Sequence, residues 1–444
     1  MNRFFYCILL CLILPLVPLK LLWRGIKQPA YLRHWAERFG FYGTQINKRL
    51  NKPNIWLHCV SVGETRAAEP LVKQLQTTYP NHQILLTHGT PTGRDASEGI
   101  FGNLVTSVYL PYDLPFAVNN FLNHFKPQIG LIMETELWFN LIAVCKQRSI
   151  PMLLLNARLS EKSASGYAKL GKLVQEGLQN LSAIAAQTED DAARFNTLGA
   201  KNISVAGNLK FDVKPPADAV DKGLQLRKQL GKKTVFLAAS TRDGEEALIL
   251  EAVKDLNILT IIVPRHPQRF DEVAALFKQD NIAFQRKSEL NNIGLQPNTP
   301  GHPLSNSLHE FDSPCTHEDS RLTIILGDTM GELFNYYAAC DFCFIGGSLL
   351  NYGGQNLIEA AQLAKPIIIG EHTFNFADAA NNAVQMGAAL RVNNVASLRE
   401  QIILLGNDLN LRKKMQQNAL VFSQTYTGAT TRLMQLIADN LPIK

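Results

Sequence analysis

From residue 54 onward, short apolar runs alternate with amphipathic helical stretches, and this alternation limits the fold more than any other feature of the chain. Ile55–Val60, Ile84–His88, Val108–Tyr112, Ile129–Met133, Pro151–Asn156, Ile184–Gln187 and Ile203–Ala206 read as strands. Segments such as Thr65–Gln76 and Leu137–Arg148 carry the helical period between them. Strands joined through helices run parallel, and a parallel sheet buries both faces, so an α/β fold is expected. Lys214-Pro215-Pro216-Ala217-Asp218 interrupts the pattern as a linker would. It then restarts with Thr234–Ala239, Leu259–Val263, Ile282–Phe284, Leu322–Leu326, Asp341–Ile345 and Pro366–Ile369. At roughly 150 residues per domain, 444 residues accommodate two such halves and a terminal element. The reading is two Rossmann-like domains, 26–213 and 214–444, facing a cleft, with ligands at the carboxyl ends of the strands. Residues 286–320 are polar, with four prolines and no periodicity, and read as a surface insertion.

Charge is concentrated at the amino end. Residues 1–42 carry Arg3, Lys20, Arg24, Lys27, Arg33 and Arg38 against Glu37 alone, so nearly all of the formal net charge of +6 resides there. A nucleic-acid binder spreads a basic face over its folded body, so a nucleic-acid partner is not expected. Phe4–Leu19 contains no charged residue, and the apolar run continues past Lys20 to Trp23. No small-x-small cleavage site follows, so residues 1–25 read as a membrane anchor helix rather than a cleaved leader. Lys20, Arg24 and Lys27 then place the rest of the chain in the cytoplasm. The run is short for a span and holds Pro15 and Pro18, which leaves an in-plane anchor open. The basic stretch Lys20–Arg38 suits anionic headgroups or a phosphorylated lipid.

The seven cysteines show no pairing pattern. Cys340 and Cys343 form a C-x-x-C, but they border a buried-strand pattern without a second Cys/His pair, so they read as core thiols.

Candidate chemistry falls at strand ends. Ser61-Val62-Gly63-Glu64 links the first strand to a helix, a turn that favours anions through its amides. Glu64 there is either a carboxylate facing the cleft or an acid complementing the helix dipole. Met133-Glu134-Thr135-Glu136 repeats the arrangement, while Asn156-Ala157-Arg158 and Gly207-Asn208-Leu209-Lys210 put cations at two further strand ends. In the second half, Pro264-Arg265-His266-Pro267 offers a guanidinium suited to phosphate. Gly327-Asp328-Thr329-Met330-Gly331-Glu332 precedes a helix. Tyr352-Gly353-Gly354-Gln355-Asn356-Leu357-Ile358-Glu359 lets backbone approach a ligand closely and puts Asn356 and Glu359 on one helical face, where Glu359 suits a ribose diol. No H-E-x-x-H, Walker loop or Asp-x-Asp occurs, so no catalytic metal is expected.

These strings together closely resemble the bacterial 3-deoxy-D-manno-octulosonic acid (Kdo) transferases. The resemblance runs in order from residue 1 to about residue 380 and rests on Trp56–Glu64, Glu134–Trp138, Asn156–Ser160, Pro264–Pro267, Gly327–Glu332 and His372–Phe376. It implies the GT-B glycosyltransferase fold and inverting transfer of Kdo from CMP-Kdo to a lipid A precursor, with no cofactor beyond that co-substrate. It also implies Glu64 as general base and Glu134 and Lys210 as stabilisers of the transition state. The CMP site would comprise Pro264, Arg265, Met330, Gly331, Glu332, Asn356, Leu357, Ile358 and Glu359. Phe139 stands where the family usually has Pro, and Gln355-Asn356-Leu357-Ile358 replaces His-Asn-Pro-Leu. A UDP-sugar transferase or epimerase of the same fold, and a non-catalytic nucleotide-sugar binder, are the competing readings.

Overall fold

The structure, a computed structural model, describes residues 1–43, 52–231, 233–290 and 324–442. It divides into two compact units, Met1–Val213 with Tyr426–Lys444, and Lys214–Thr425.

The first unit is built on strands β1 (Asn54–His58), β2 (Gln83–His88), β3 (Thr106–Tyr109), β4 (Pro127–Met133), β5 (Met152–Ala157), β6 (Ala183–Ala186) and β7 (Ile203–Val205). They form one sheet in the order β3-β2-β1-β4-β5-β6-β7, and every pairing is parallel. Side chains alternate across it. Ile55, Leu57 and Cys59 enter the core on one face, with Ile129, Leu131 and Met133. Trp56 enters the opposite core, with Phe121, Phe125 and Ile132. Burial on both faces is why these strands read as unbroken apolar runs.

The second unit repeats the scheme with β8 (Val235–Thr241), β9 (Leu259–Pro264), β10 (Phe284–Arg286), β11 (Ile324–Leu326), β12 (Phe342–Ile345), β13 (Ile367–Ile369) and β14 (Ala389–Arg391). Their order is β10-β11-β9-β8-β12-β13-β14, again all parallel.

Several sequence expectations shift. The helix expected over Thr65–Gln76 is two, Val62–Ala67 and Glu69–Thr78, because Pro70 cannot donate to the preceding turn and starts a new helix instead. The strand expected at Ile282–Phe284 lies two residues later. Residues 286–290, expected at the start of the insertion, close β10 and form the short helix Lys287–Leu290. The rest of that segment, with Cys315, lies outside the described residues. Strand β14 carried no expectation, being three residues long and only partly buried.

The chain end also differs from the 214–444 assignment. Helix Ala429–Asn440 belongs to the first unit, where Leu433, Ile437 and Leu441 join the core beneath β1 and β4. Burying each contributes about 1.5–3 kcal/mol. Asp212 holds the return by accepting from the Gly428 N–H at 2.7 Å, and Arg432 Nε donates to the Ala206 carbonyl at 2.7 Å.

At the amino end, no single helix among the described residues is long and apolar enough to cross a membrane. Helices Arg3–Ile13 and Leu16–Ile26 pass that test only as a pair, bent by 53°. The break falls at Leu14-Pro15, where proline removes a helical hydrogen bond. The first helix is tied to the unit by Tyr6 Oη donating to Asp113 at 3.0 Å and Cys7 Sγ donating to Asn140 at 3.2 Å. Its Phe4, Phe5, Ile8, Leu9 and Leu12 remain exposed.

Candidate active site

The order β3-β2-β1-β4 reverses direction between β1 and β4, and at such a switch point the crevice beyond the carboxyl ends receives ligands in open α/β sheets. Glu64 follows β1 and Glu134 follows β4, so the two acids flank it.

Ser61 caps the helix Val62–Ala67, its side chain accepting from the Glu64 N–H, and Glu64 is the third helical residue. This is the residue pattern of a capping box, with the carboxylate reaching one residue further back. Glu64 Oε2 accepts from the Val60 N–H at 2.8 Å, and Oε1 accepts from Ser61 Oγ at 2.9 Å. Complementing the helix dipole therefore does not exclude a chemical role. Two of the four lone-pair directions of the carboxylate are used, and two stay open to a hydroxyl. Glu64 is only 8% exposed. Burial first, then the charges of Glu134 and Glu136, push its carboxyl up to about 7 against the two hydrogen bonds it accepts. Burial first, then the charge of Glu134, also raises Glu136. A carboxyl poised at neutrality is what general-base catalysis requires.

Glu134 sits in the left-handed region at φ 58°, its N–H bound to the Leu155 carbonyl at 2.9 Å. Asn156, near the end of β5, does the same at φ 52°. Non-glycine residues held in that region at strand ends mark places where the fold imposes a backbone turn, a recurrent feature of functional sites. Asn156 Oδ1 accepts from the Leu209 N–H at 3.0 Å, which ties the end of β5 to the turn Leu209–Asp212 carrying Lys210. His58 and His88 lie behind the Glu64 turn, and burial first lowers them to about 3 and about 4, so both rings are neutral. Of these three groups, Glu64 is the one poised to take a proton near neutral pH.

The second unit places its expected residues at the equivalent edge. Pro264 ends β9, and Arg265 Nε donates to Gln355 Oε1 at 3.1 Å. Asn356 Nδ2 donates to Glu359 Oε1 at 3.0 Å, so those two share a face as expected. Leu357 and Ile358 are buried, and the Ile358 N–H is engaged by Asn356 Oδ1, so their side chains serve packing. Gly331 adopts φ 78°, Met330 is exposed, and Glu332 pairs with Lys287 at 3.7 Å. Gly353 is required as glycine: at φ 87°, a Cβ there would lie 2.4 Å from the Phe374 ring.

Two residues here escaped the sequence reading. Glu245, fully buried, accepts from the Arg242 N–H at 2.9 Å, the Gly347 N–H at 2.6 Å and the Leu349 N–H at 3.0 Å, and so holds the glycine loop after β12. Arg242 follows β8, lies 4.8 Å over the Tyr352 ring and bonds His266 at 2.9 Å. The signal for both was Ser240-Thr241-Arg242-Asp243-Gly244-Glu245, a strand end running through glycine into a helix. Among the described residues, no group of three or more His, Cys, Asp or Glu is placed to hold a metal ion.

Two doubly wound parallel units in one chain, each with its polar chemistry at the carboxyl edge, are the GT-B glycosyltransferase architecture. A glycosyltransferase from Rickettsia africae shares this fold, with a TM-score of 0.57 and 14% identity over 89% of this chain and 100% of its own. Residues 33–213 match the family model for 3-deoxy-D-manno-octulosonic-acid transferase (kdotransferase). The 3-deoxy-D-manno-octulosonic acid transferase of Haemophilus influenzae is 36% identical over 99% of both chains. That of Bordetella pertussis is 37% identical over 96% of both. The chain belongs to the Kdo transferase family and is a glycosyltransferase.

Proposed function

We propose that this enzyme transfers Kdo from CMP-Kdo to a lipid A precursor with inversion, using Glu64 as general base. The observation that carries the proposal is the buried Glu64 carboxyl at the switch point, raised to about 7 while keeping two lone-pair directions open. An oxygen of an acceptor sugar hydroxyl attacks the anomeric carbon of Kdo as the bond from that carbon to the CMP phosphate oxygen breaks. The hydroxyl proton passes to Glu64, and CMP leaves with the bonding electron pair. The anomeric centre gains positive charge during the step, which the Glu134 carboxylate stabilises, while Lys210 offsets the charge of the departing phosphate. The second unit holds the nucleotide through Arg265, the Met330-Gly331-Glu332 turn and the Asn356–Glu359 segment, with Arg242 as a further cation.

CMP, rather than UDP, is expected to raise the melting temperature of the protein. Arg265→Ala should weaken CMP binding by about 1.5–3 kcal/mol, the value of a charge-assisted phosphate contact. Calorimetric titration measures both, and equal protection by UDP would favour a UDP-sugar enzyme. EDTA should leave the transfer rate unchanged, because cationic side chains neutralise the phosphate charge; loss of rate restored by Mg²⁺ would overturn this.

The bent amino-terminal pair supports an anchor lying in the cytoplasmic leaflet of the inner membrane. Tyr6 and Cys7 contact the unit from the middle of the first helix, and the Met1 amino group donates to the Leu170 carbonyl at 3.2 Å, contacts that favour an in-plane helix over one that crosses. Leu16, Leu19, Leu22, Trp23 and Ile26 extend the exposed apolar face.

A further inference from the structure

The turn Leu209–Asp212, which carries Lys210, is fastened from two sides. In front, the Leu209 N–H donates to Asn156 Oδ1 at 3.0 Å, the Lys210 N–H to Asn208 Oδ1 at 3.0 Å and the Phe211 N–H to the Asn208 carbonyl at 3.0 Å. Asn208 Nδ2 in turn donates at 2.9 Å to Oε1 of Gln187, the residue after β6. These bonds tie the turn to strand ends at the carboxyl edge of the first sheet.

Behind, the turn is held by the far end of the chain. The chain leaves the first unit after Val213 and re-enters it at Tyr426, whose ring stacks on Phe211 with centroids 5.1 Å apart. The helix Ala429–Asn440 then starts from Gly428, which is left-handed at φ 93° and brings no side-chain cap, and no acid stands in the first turn. The unpaired amides and dipole of such a helix start call for an anion. Asp212, the last residue of the Lys210 turn, supplies it: one carboxylate oxygen accepts from the Gly428 N–H at 2.7 Å and the other from the Thr430 N–H. Leu433, Ile437 and Leu441 seat that helix in the core, so Asp212 references the Lys210 turn to a packed element.

We propose that Asp212 is a positioning residue for the transfer reaction: through the carboxyl-terminal return it holds the Lys210 turn, and with it the ammonium, where the departing phosphate gathers charge. This rests on the role given above to Lys210. Helix capping alone is met locally by a Ser, Thr, Asn or Asp at the cap position. Here the cap position is glycine, and the capping anion comes from two residues beyond the ammonium that has to be placed. Electrostatic stabilisation of a transition state depends on a cation held in advance, and a displacement of about 1 Å costs about 10²-fold in rate. Loss of Asp212 frees the rear of the turn while the bonds in front remain, so Lys210 is displaced rather than unfolded.

Single-turnover rates with CMP-Kdo and a lipid A precursor are to be measured for the full-length wild type, Lys210→Met, Asp212→Ala and the double variant, with CMP affinity by calorimetry. Asp212→Ala should slow transfer at least about tenfold. CMP affinity should not change, since the proposed CMP contacts lie in the second unit. Asp212→Asn, which keeps one acceptor oxygen, should recover part of the rate. The double variant should match Lys210→Met within about twofold, because a positioning effect vanishes once the positioned group is gone. A purely structural Asp212 predicts losses that multiply. If Asp212→Ala fails to fold, Arg432→Gln decides: Arg432 is exposed, and its Nε ties the return to the Ala206 carbonyl at 2.7 Å. Its loss of about threefold should likewise disappear in the Lys210→Met background. A slow Lys210→Met beside wild-type rates in the other variants, or losses that multiply, overturns the positioning role alone. Lys210→Met at the wild-type rate overturns the reading of Lys210 and the proposal with it.

Discussion

Glu64→Gln is expected to lower the transfer rate at least about 10²-fold while leaving the fold and CMP affinity intact. The amide is isosteric: its oxygen can accept from the Val60 N–H, and its NH₂ can donate to Ser61 Oγ, so the turn keeps its hydrogen bonds. What disappears is the proton acceptor. In the wild type, Glu64 is ionised only above about 7, so the rate should fall roughly tenfold per pH unit below that value, a limb the variant lacks.

Stability should move in the opposite sense. The folded carboxyl binds its proton more tightly than the unfolded one, at about 7 against an ordinary 4.5. Ionisation therefore costs native stability progressively between those two pH values, and the full cost applies above about 7. Glu64→Gln removes that cost, so it should melt higher than wild type at pH 8 and equally at pH 4. A purely helix-capping Glu64 predicts near-normal turnover, and initial rates with melting curves at the two pH values separate these outcomes.

Much of this site could be read from the sequence because its parts are local. Ser61 and Glu64 are three residues apart, and the strand before them is buried on both faces, so pattern and burial agree. The left-handed turn at Glu134 and the bond from Asn156 to the Lys210 turn were not readable, since each depends on a neighbouring strand. The return of Leu433, Ile437 and Leu441 to the first unit was hidden for the same reason. Their helical period announces a helix, but nothing local says which core it fills. The anchor shows the converse: Pro15 was visible, and its kink divides an apolar stretch that composition alone reads as one element.

Glu245 is the clearest case of a residue whose importance only the structure discloses. By composition it is an acid in the first turn of the helix Glu245–Val253, where a substitution would cost a fraction of a kcal/mol through the dipole. In place, it is fully buried and takes the N–H groups of Arg242, Gly347 and Leu349. Glu245→Ala leaves all three without an acceptor, each loss costing about 1–3 kcal/mol, so a total of at least about 3 kcal/mol is expected. For a unit of this size, that corresponds to a fall in melting temperature of about 10 °C. Gln restores one acceptor oxygen and adds a donor that finds no partner, so Glu245→Gln should fall between Ala and wild type. The loop it releases, Gly346–Leu350, has no slack to compensate: a Cβ at Gly346 would lie 2.4 Å from the Ser240 carbonyl oxygen, so the chain is already seated against β8. Loosening this loop should weaken CMP binding in step with the melting temperature, because Arg242 loses its backbone anchor and the Gly346 carbonyl accepts at 3.0 Å from the N–H of Gln355, the partner of Arg265. The pH limb belonging to Glu64 should stay where it is, since that carboxylate belongs to the other unit. Calorimetry with and without CMP tests this directly, and an unchanged melting temperature would mean that the glycine loop is held by contacts other than Glu245.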